Sequence, residues 1–226
     1  YGCTALREVV IPDAVTEIGE SVFRGCTGLV SVTLPDGLDS VPMYMFYGCT
    51  SLAGIDIPES VTEIGDYAFY GCGSISEFDF KNVEAVAVYA FVGTDLEEVD
   101  APKLKVVGSA AFGELPLVSV NLPEATEIYS YAFYNCGSLS SVSVPKLVTL
   151  GAYAFAGTSI AQFSSETVET VEAFAFADNG RLASVSLPNL VNLGEQAFRN
   201  TAITTFEVGA SLNPESSDLD NKTGLI

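Results

Sequence analysis

Val61-Thr-Glu-Ile-Gly-Asp-Tyr-Ala-Phe-Tyr-Gly-Cys72 is the stretch that decides the fold, because variants of it recur along the chain. Its phenylalanine returns at intervals of 21 to 23 residues, as Phe23, Phe46, Phe69, Phe91, Phe112, Phe133, Phe155, Phe176 and Phe198. A fixed period near ~22 residues is typical of solenoids, in which each unit buries its apolar face against its neighbours. The spacing therefore predicts nine full coils, which we number 1–9 by these phenylalanines.

Each coil opens with three apolar positions, as in Leu29, Val32 and Leu34 of coil 2. The last two alternate with polar residues, the period-2 signature of a short strand with one buried face. Stacked coils should align these strands into a parallel sheet, and a proline closes the strand in seven coils. A second apolar pair, such as Val61 and Ile64, predicts another short strand or extended segment on the opposite side of the coil.

The turn around each phenylalanine should be tight. Glycine follows the second apolar pair in alternate coils, as Gly19, Gly65, Gly108, Gly151 and Gly194, and we expect it to permit a sharp bend. Alanine precedes the phenylalanine in seven of the nine coils, which indicates that only a small side chain fits there. We expect a single helical or 3₁₀ turn, with the buried rings contributing about 1.5–3 kcal/mol each.

Composition and charge exclude several functional classes. The repeat predicts one continuous core, and the apolar 48% of the 226 residues is spread at regular intervals, so no membrane span is expected. With a net charge of −20 and nine Lys and Arg, the chain is unsuited to nucleic acid or to an anionic membrane surface. Its charge favours cationic partners. The opening residues match the end of a repeat, so we expect the chain to be a piece of a longer protein.

The consensus Leu-x-x-Val-x-Leu-Pro-x-x-Val-x-x-Ile-Gly-x-x-Ala-Phe-x-x-Cys resembles the BspA-like, or Treponema-pallidum-type, leucine-rich repeat. The match covers about residues 1–208. Coils 4 and 8 depart most, because neither has the proline and Phe80 and Phe163 replace smaller aliphatics. The resemblance implies a right-handed, curved solenoid with a parallel β-sheet on its inner face, from a secreted or surface-attached bacterial protein. Members are associated with adhesion to host matrix proteins and other cells. The motif residues are structural, so no catalytic position carries over.

The domain prediction is a solenoid over 1–208 followed by a polar tail, or the start of a cap, over 209–226. The tail contains Asn221-Lys-Thr223, formally a glycosylation acceptor. The absence of histidine removes the usual general base and the commonest metal ligand, and no phosphate-binding loop is present. We therefore predict that the protein is not an enzyme and needs no cofactor or metal.

Two residue types are concentrated in the turns. Cys3, Cys26, Cys49, Cys72 and Cys136 fall three residues after the phenylalanine position, where coils with a shorter turn have Thr94, Thr158 or Thr201. Disulfides are geometrically possible at the spacing of stacked coils, but buried free thiols acting as small core fillers are the favoured interpretation. Tyrosines lie two residues before the phenylalanine, and coils 2, 3 and 6 add a second one just after it. They either form an aromatic stripe that binds a partner or cover the edge of a thin core.

Acidic residues form the candidate binding site. In the register of the first strands, Glu77, Asp79, Glu98 and Asp100 should make a two-by-two carboxylate group, with Asp56 beside it and Glu97 at its margin. The repeat does not require acids here, since Ser and Thr serve in most coils. The alternatives are a contact site for a basic protein segment, a weak Ca²⁺ site, and a solvated face without a ligand.

These observations predict a monomeric, non-catalytic, secreted or surface-displayed module that binds a protein partner. The alternative is a spacer that projects another domain and has no ligand of its own. A binder should concentrate charge or aromatic residues locally, whereas a spacer should show no local bias.

Overall fold

The alternating residues at the start of each coil form a first column of parallel strands, and the second apolar pair forms another. The structure is a computed structural model that describes residues 1–212. With the strands numbered in chain order, the first column contains β1 (Glu8–Val10), β2 (Ser31–Thr33), β6 (Glu98–Asp100), β8 (Ser119–Asn121), β10 (Ser141–Ser143), β12 (Gln162–Ser164), β14 (Ser184–Leu187) and β16 (Thr205–Val208). The second column contains β3 (Ser40–Val41), β4 (Glu63–Ile64), β5 (Ala85–Val86), β7 (Val106–Val107), β9 (Glu127–Ile128), β11 (Thr149–Leu150), β13 (Thr170–Val171) and β15 (Asn192–Leu193). The predicted repeat solenoid of nine coils is therefore confirmed.

The second column is the continuous one. Its eight strands pair in sequence order as one parallel sheet, although each is only two residues long. The first column, where we expected the main sheet, is divided into β1–β2, β6–β8–β10 and β12–β14–β16, with a single bridge from Thr33 to Asp56.

One interruption of the first column spans coils 3 and 4 and the other lies between coils 7 and 8, so each involves one of the two coils that lack proline. In coil 4 residues 75–80 form no strand, and in coil 8 β12 pairs with β14 but not with β10. Phe78 and Phe80 point into coil 4, with ring centroids 4.8 and 5.3 Å from Phe91. Phe163 packs 4.9 Å from Phe176 in coil 8. These rings fill space that smaller aliphatics occupy elsewhere, which accounts for the lost strand pairing.

The turn that contains each phenylalanine forms a third column of hydrogen bonds between coils, beside the two strand columns; we call it the turn ladder. In coil 3 the backbone N–H groups of Tyr67, Phe69 and Gly71 donate to carbonyls of coil 4 at 2.9, 2.9 and 2.8 Å. Two positions per coil, two residues before and two after the phenylalanine, have positive φ throughout the solenoid, as at Tyr67 (54°) and Gly71 (71°). The expected helical or 3₁₀ turn is thus a hydrogen-bonded turn, because left-handed residues interrupt any helix.

The nine phenylalanines form one stack through the core. Successive ring centroids lie 5.2–5.8 Å apart, from Phe23 to Phe198. Eight of the rings are essentially inaccessible to solvent, and Phe23 is 8% exposed. Phe206 of β16 packs edge-on against the last ring at 5.2 Å. Burial of this stack is a main source of cohesion between coils.

Four of the glycines after the second apolar pair, Gly65, Gly108, Gly151 and Gly194, serve close packing, whereas a Cβ built on Gly19 would meet no atom within 4 Å. A Cβ built on Gly151 would lie 2.6 Å from backbone atoms of Tyr129 and Ser130, and one on Gly194 would lie 2.2 Å from the nitrogen of Ala173. None of the five glycines that follow the second apolar pair has a positive φ, so a left-handed bend is not what requires glycine here. The four close-packed glycines allow one coil to approach the backbone of the preceding coil. No helix within the described residues 1–212 is long and apolar enough to cross a membrane.

Candidate binding surfaces

The predicted acidic residues are all exposed, but the structure arranges them differently from the expected two-by-two group. The strand pairing that would set Glu77 beside Glu98 does not form, because residues 75–80 are not in a strand. Glu77, Glu97, Glu98 and Asp100 instead line one depression of about 310 Å³, together with Ser76 and Phe78. We refer to these four carboxylates as the acidic block.

The other two predicted residues, Asp56 and Asp79, do not line this depression. The Asp79 carboxylate accepts a hydrogen bond from the Lys81 backbone N–H at 2.9 Å and borders a smaller depression beside Pro58. Asp56 makes the isolated bridge to Thr33. The sequence therefore identified four residues that line one depression and two that do not line it.

Neutral donors, not cations, contact the acidic block. Ser119 donates to Glu98 at 3.0 Å, and the Asn121 amide donates to Asp100 at 2.8 Å. The ion pairs between coils in residues 1–212 lie elsewhere: Lys81–Glu59, Lys105–Glu84, Lys146–Glu124 and Arg199–Asp178. In one of these pairs, the hydrogen bond from Lys105 lowers the pKa of Glu84. The acidic block is thus a local concentration of negative charge without an internal counterion.

No metal centre is visible in the part of the chain that the structure describes. No group of three or more His, Cys, Asp or Glu residues there is placed to hold a metal ion. The Ca²⁺ alternative for the acidic residues therefore has no geometric support within residues 1–212.

The cysteines are free thiols, as expected, and four of them are buried. The thiols of Cys49, Cys72 and Cys136 donate to the phenylalanine carbonyl of the preceding coil at 3.0–3.1 Å. Burial raises the pKa of Cys49 and of Cys136 to about 12. Cys3 is exposed, so the core-filler interpretation was wrong for this residue. These positions have a structural role, because the thiol satisfies a buried carbonyl.

The aromatic residues two positions before the phenylalanine stack on one another at the surface. We call Tyr44, Tyr67, Tyr89, Tyr131, Tyr153 and Phe174 the tyrosine ladder. Adjacent centroids within it lie 4.7–5.0 Å apart. Burial, followed by the neighbouring Tyr44 and Tyr89, raises the pKa of Tyr67. The expected pairs within coils 2, 3 and 6 also form, with centroids 5.5–5.8 Å apart.

Sequence reasoning missed the interruption of this ladder at coil 5. Ala110 stands where Tyr89 and Tyr131 stand in the adjacent coils, and Gly113 follows the phenylalanine of coil 5. A depression of about 280 Å³ results, lined by Tyr70, Tyr89, Tyr131 and Tyr134 with Ala110, Gly113 and Glu114. The absence of a tyrosine two residues before Phe112 was the available signal.

The family profile described as the BspA type leucine-rich repeat region, in six copies, matches residues 1–115 and 105–218. The chain belongs to this family. The BspA-type repeat explains the phenylalanine stack, the apolar pattern of each coil and the turn cysteines as structural parts of the coil.

Solved structures share the fold of this BspA-type chain. A leucine-rich repeat protein from Bacteroides ovatus is 19% identical, with a TM-score of 0.56 over 92% of this chain and 82% of its own. A leucine-rich cell surface protein from Faecalibacterium prausnitzii is 22% identical, with a TM-score of 0.54 over 91% of this chain and 70% of its own. The pneumococcal vaccine antigen PcpA is 20% identical, with a TM-score of 0.50 over 91% of this chain and 63% of its own. A comparison with curated proteins found no match.

Proposed function

We propose that this BspA-type solenoid is a non-catalytic module, displayed at a cell surface as a monomer, that binds a basic segment of a protein partner through the acidic block. The observation that carries the proposal is the depression of about 310 Å³ bordered by Glu77, Glu97, Glu98 and Asp100. Surface display is supported by the description of the Faecalibacterium prausnitzii relative as a cell surface protein.

The charge distribution favours a protein ligand with positive charge. None of the ion pairs between coils in residues 1–212 includes a member of the acidic block, so an incoming cation does not compete with an internal lysine or arginine. The net charge of −20 adds long-range attraction, which raises association rates and weakens as salt screens it. Phe78 is half-buried at the margin and offers apolar contact beside the charges.

The test is binding of a lysine-rich peptide to the protein and to a variant with Glu77, Glu97, Glu98 and Asp100 changed to Ser. The matched control changes Glu17, Glu20, Glu169 and Glu195 to Ser, since these carboxylates are exposed, lie outside the acidic block and carry the same total charge. We expect the first variant to lose at least about tenfold in affinity at low salt and the control to lose far less. Equal losses of affinity in the two variants would show that binding depends on net charge alone and would refute a localised site. Absence of binding to the unaltered protein would favour the spacer alternative.

A further inference from the structure

We propose that the interruption of the tyrosine ladder at coil 5 is a binding site for an arginine side chain of a protein partner. The site, which we call the ring slot, has Tyr89 and Tyr131 as its walls, Ala110 and Gly113 as its floor and Glu114 at its edge. It lies at different residues from the acidic block and does not depend on that proposal.

The spacing of rings in adjacent coils of the tyrosine ladder sets the width of the ring slot. Tyr67 stacks on Tyr89 with centroids 5.0 Å apart, and Tyr131 stacks on Tyr153 at 4.8 Å, so rings in adjacent coils are in contact. Ala110 has the same left-handed backbone as its neighbours, with φ of 53° against 56° for Tyr89 and 63° for Tyr131. The coil spacing is therefore continuous through coil 5 and only the ring is missing. The space between Tyr89 and Tyr131 fits one planar group that contacts both rings.

The chain's own arginines indicate which planar group suits this ladder. At the beginning of the ladder, the guanidinium of Arg24 lies 4.9 Å from the ring centroid of Tyr44 and 4.7 Å from that of Tyr47. At its end, the guanidinium of Arg199 lies 5.0 Å from the ring centroid of Phe174. The two outermost ring faces thus each carry an arginine, a contact favoured by the negative face of the aromatic ring. The two inner faces, on Tyr89 and Tyr131, are turned toward each other across coil 5.

Charge at the ring slot fits the same ligand. Glu114 is exposed at its edge, and no ion pair in residues 1–212 includes its carboxylate. At the corresponding left-handed position every other coil has Gly, Asn or Asp, so coil 5 alone among coils 1–9 places a glutamate there. An arginine stacked between the two tyrosines would direct its N–H groups toward this carboxylate. A lysine ammonium offers no flat face to the two rings, so the ring slot should discriminate between the two cations.

The experiment titrates the protein with N-acetyl-argininamide while the ring resonances of its tyrosines are followed by NMR. We expect saturable shifts at Tyr89 and Tyr131, with the lysine and citrulline analogues binding about fivefold or more weakly. Ala110→Tyr should abolish the shifts by restoring the missing ring. The matched control, Ala110→Ser, should preserve them, because serine occupies the same backbone position at Ser21 of coil 1.

Glu114→Gln, a substitution at an exposed position, should weaken arginine binding severalfold. It provides a separate test in case the Ala110→Tyr variant does not fold. The quadruple serine variant of the acidic block should bind N-acetyl-argininamide like the unaltered protein, so the two proposals can fail separately. The ring slot proposal is overturned if N-acetyl-argininamide shifts neither ring, or if a folded Ala110→Tyr variant binds it undiminished. Equal binding of the lysine analogue, of N-acetyl-tyrosinamide or of glucose would also overturn it.

Discussion

Replacing Phe112 by alanine should be the most damaging single truncation in the solenoid. The ring is fully buried in the central coil, stacked 5.3 Å from Phe91 and 5.5 Å from Phe133, with Phe80 edge-on at 5.8 Å. Truncation of a buried phenylalanine to alanine costs about 3–5 kcal/mol. We expect about 4–5 kcal/mol, because three aromatic contacts are lost and the ladders on either side keep the coils from collapsing into the cavity.

Urea unfolding followed by far-UV circular dichroism measures this loss. Phe174→Ala is the matched control, since it deletes the same ring from a half-buried position on the tyrosine ladder and should cost only about 1 kcal/mol. A decrease in the m-value of Phe112→Ala would indicate that the two halves of the solenoid unfold separately. If the two variants lose the same stability within about 0.5 kcal/mol, the stack is not the main source of cohesion.

Three further predictions concern the glycines and cysteines of the coils. Gly151→Ala should destabilise the protein by about 1–3 kcal/mol, because the added Cβ would meet the backbone of Tyr129 and Ser130. The control, Gly137→Ala, should be neutral, since no atom lies within 4 Å of its Cβ. Equal shifts in the melting temperatures of the two variants would contradict the close-packing role of Gly151. Thiol labelling at neutral pH should modify Cys3 in the native protein and all five cysteines in the unfolded, unreduced protein, and a lower count after unfolding would reveal disulfides. Because folding raises the pKa of Cys49 and Cys136 to about 12, their stabilising contribution is complete below about pH 8.5 and declines toward pH 12. The unaltered protein should therefore lose stability relative to a Cys49→Ala, Cys136→Ala double variant as the pH rises from about 8 to about 10.5. A constant difference between the two proteins would argue against burial of these thiols.

The sequence predicted the features that depend on periodicity. Nine phenylalanines at a fixed spacing can be buried together only in a stack, and the tyrosine pairs of coils 2, 3 and 6 follow from the same register. The buried thiols could be predicted because threonine replaces cysteine in the shorter turns, where Thr94 and Thr158 satisfy the phenylalanine carbonyl of their own coil.

Features that depend on the approach of one coil to another could not be read from residue types. Tyrosine disfavours positive φ, yet Tyr44, Tyr67 and Tyr89 adopt it, because the inter-coil hydrogen bonds and ring stacking fix that backbone. The expected register of Glu77 with Glu98 required an unbroken first column, and the bulk of Phe78 and Phe80 interrupts it. A pattern of apolar residues shows which face is buried, but it does not show whether the backbone remains close enough to pair.

The divided first column gives the solenoid an uneven resistance to mechanical load. Coils 5 and 6 are joined by both strand columns, whereas the first column does not pair coils 3 and 4, 4 and 5, or 7 and 8. Tension on the chain ends would act on every contact between successive coils, so the contacts with fewer hydrogen bonds should open first. Each coil that peels away releases about 22 residues, or roughly 75 Å of extended chain. Coils 4 and 8 would thus act as built-in points of yield, lengthening the protein in steps while the segments between them stay folded.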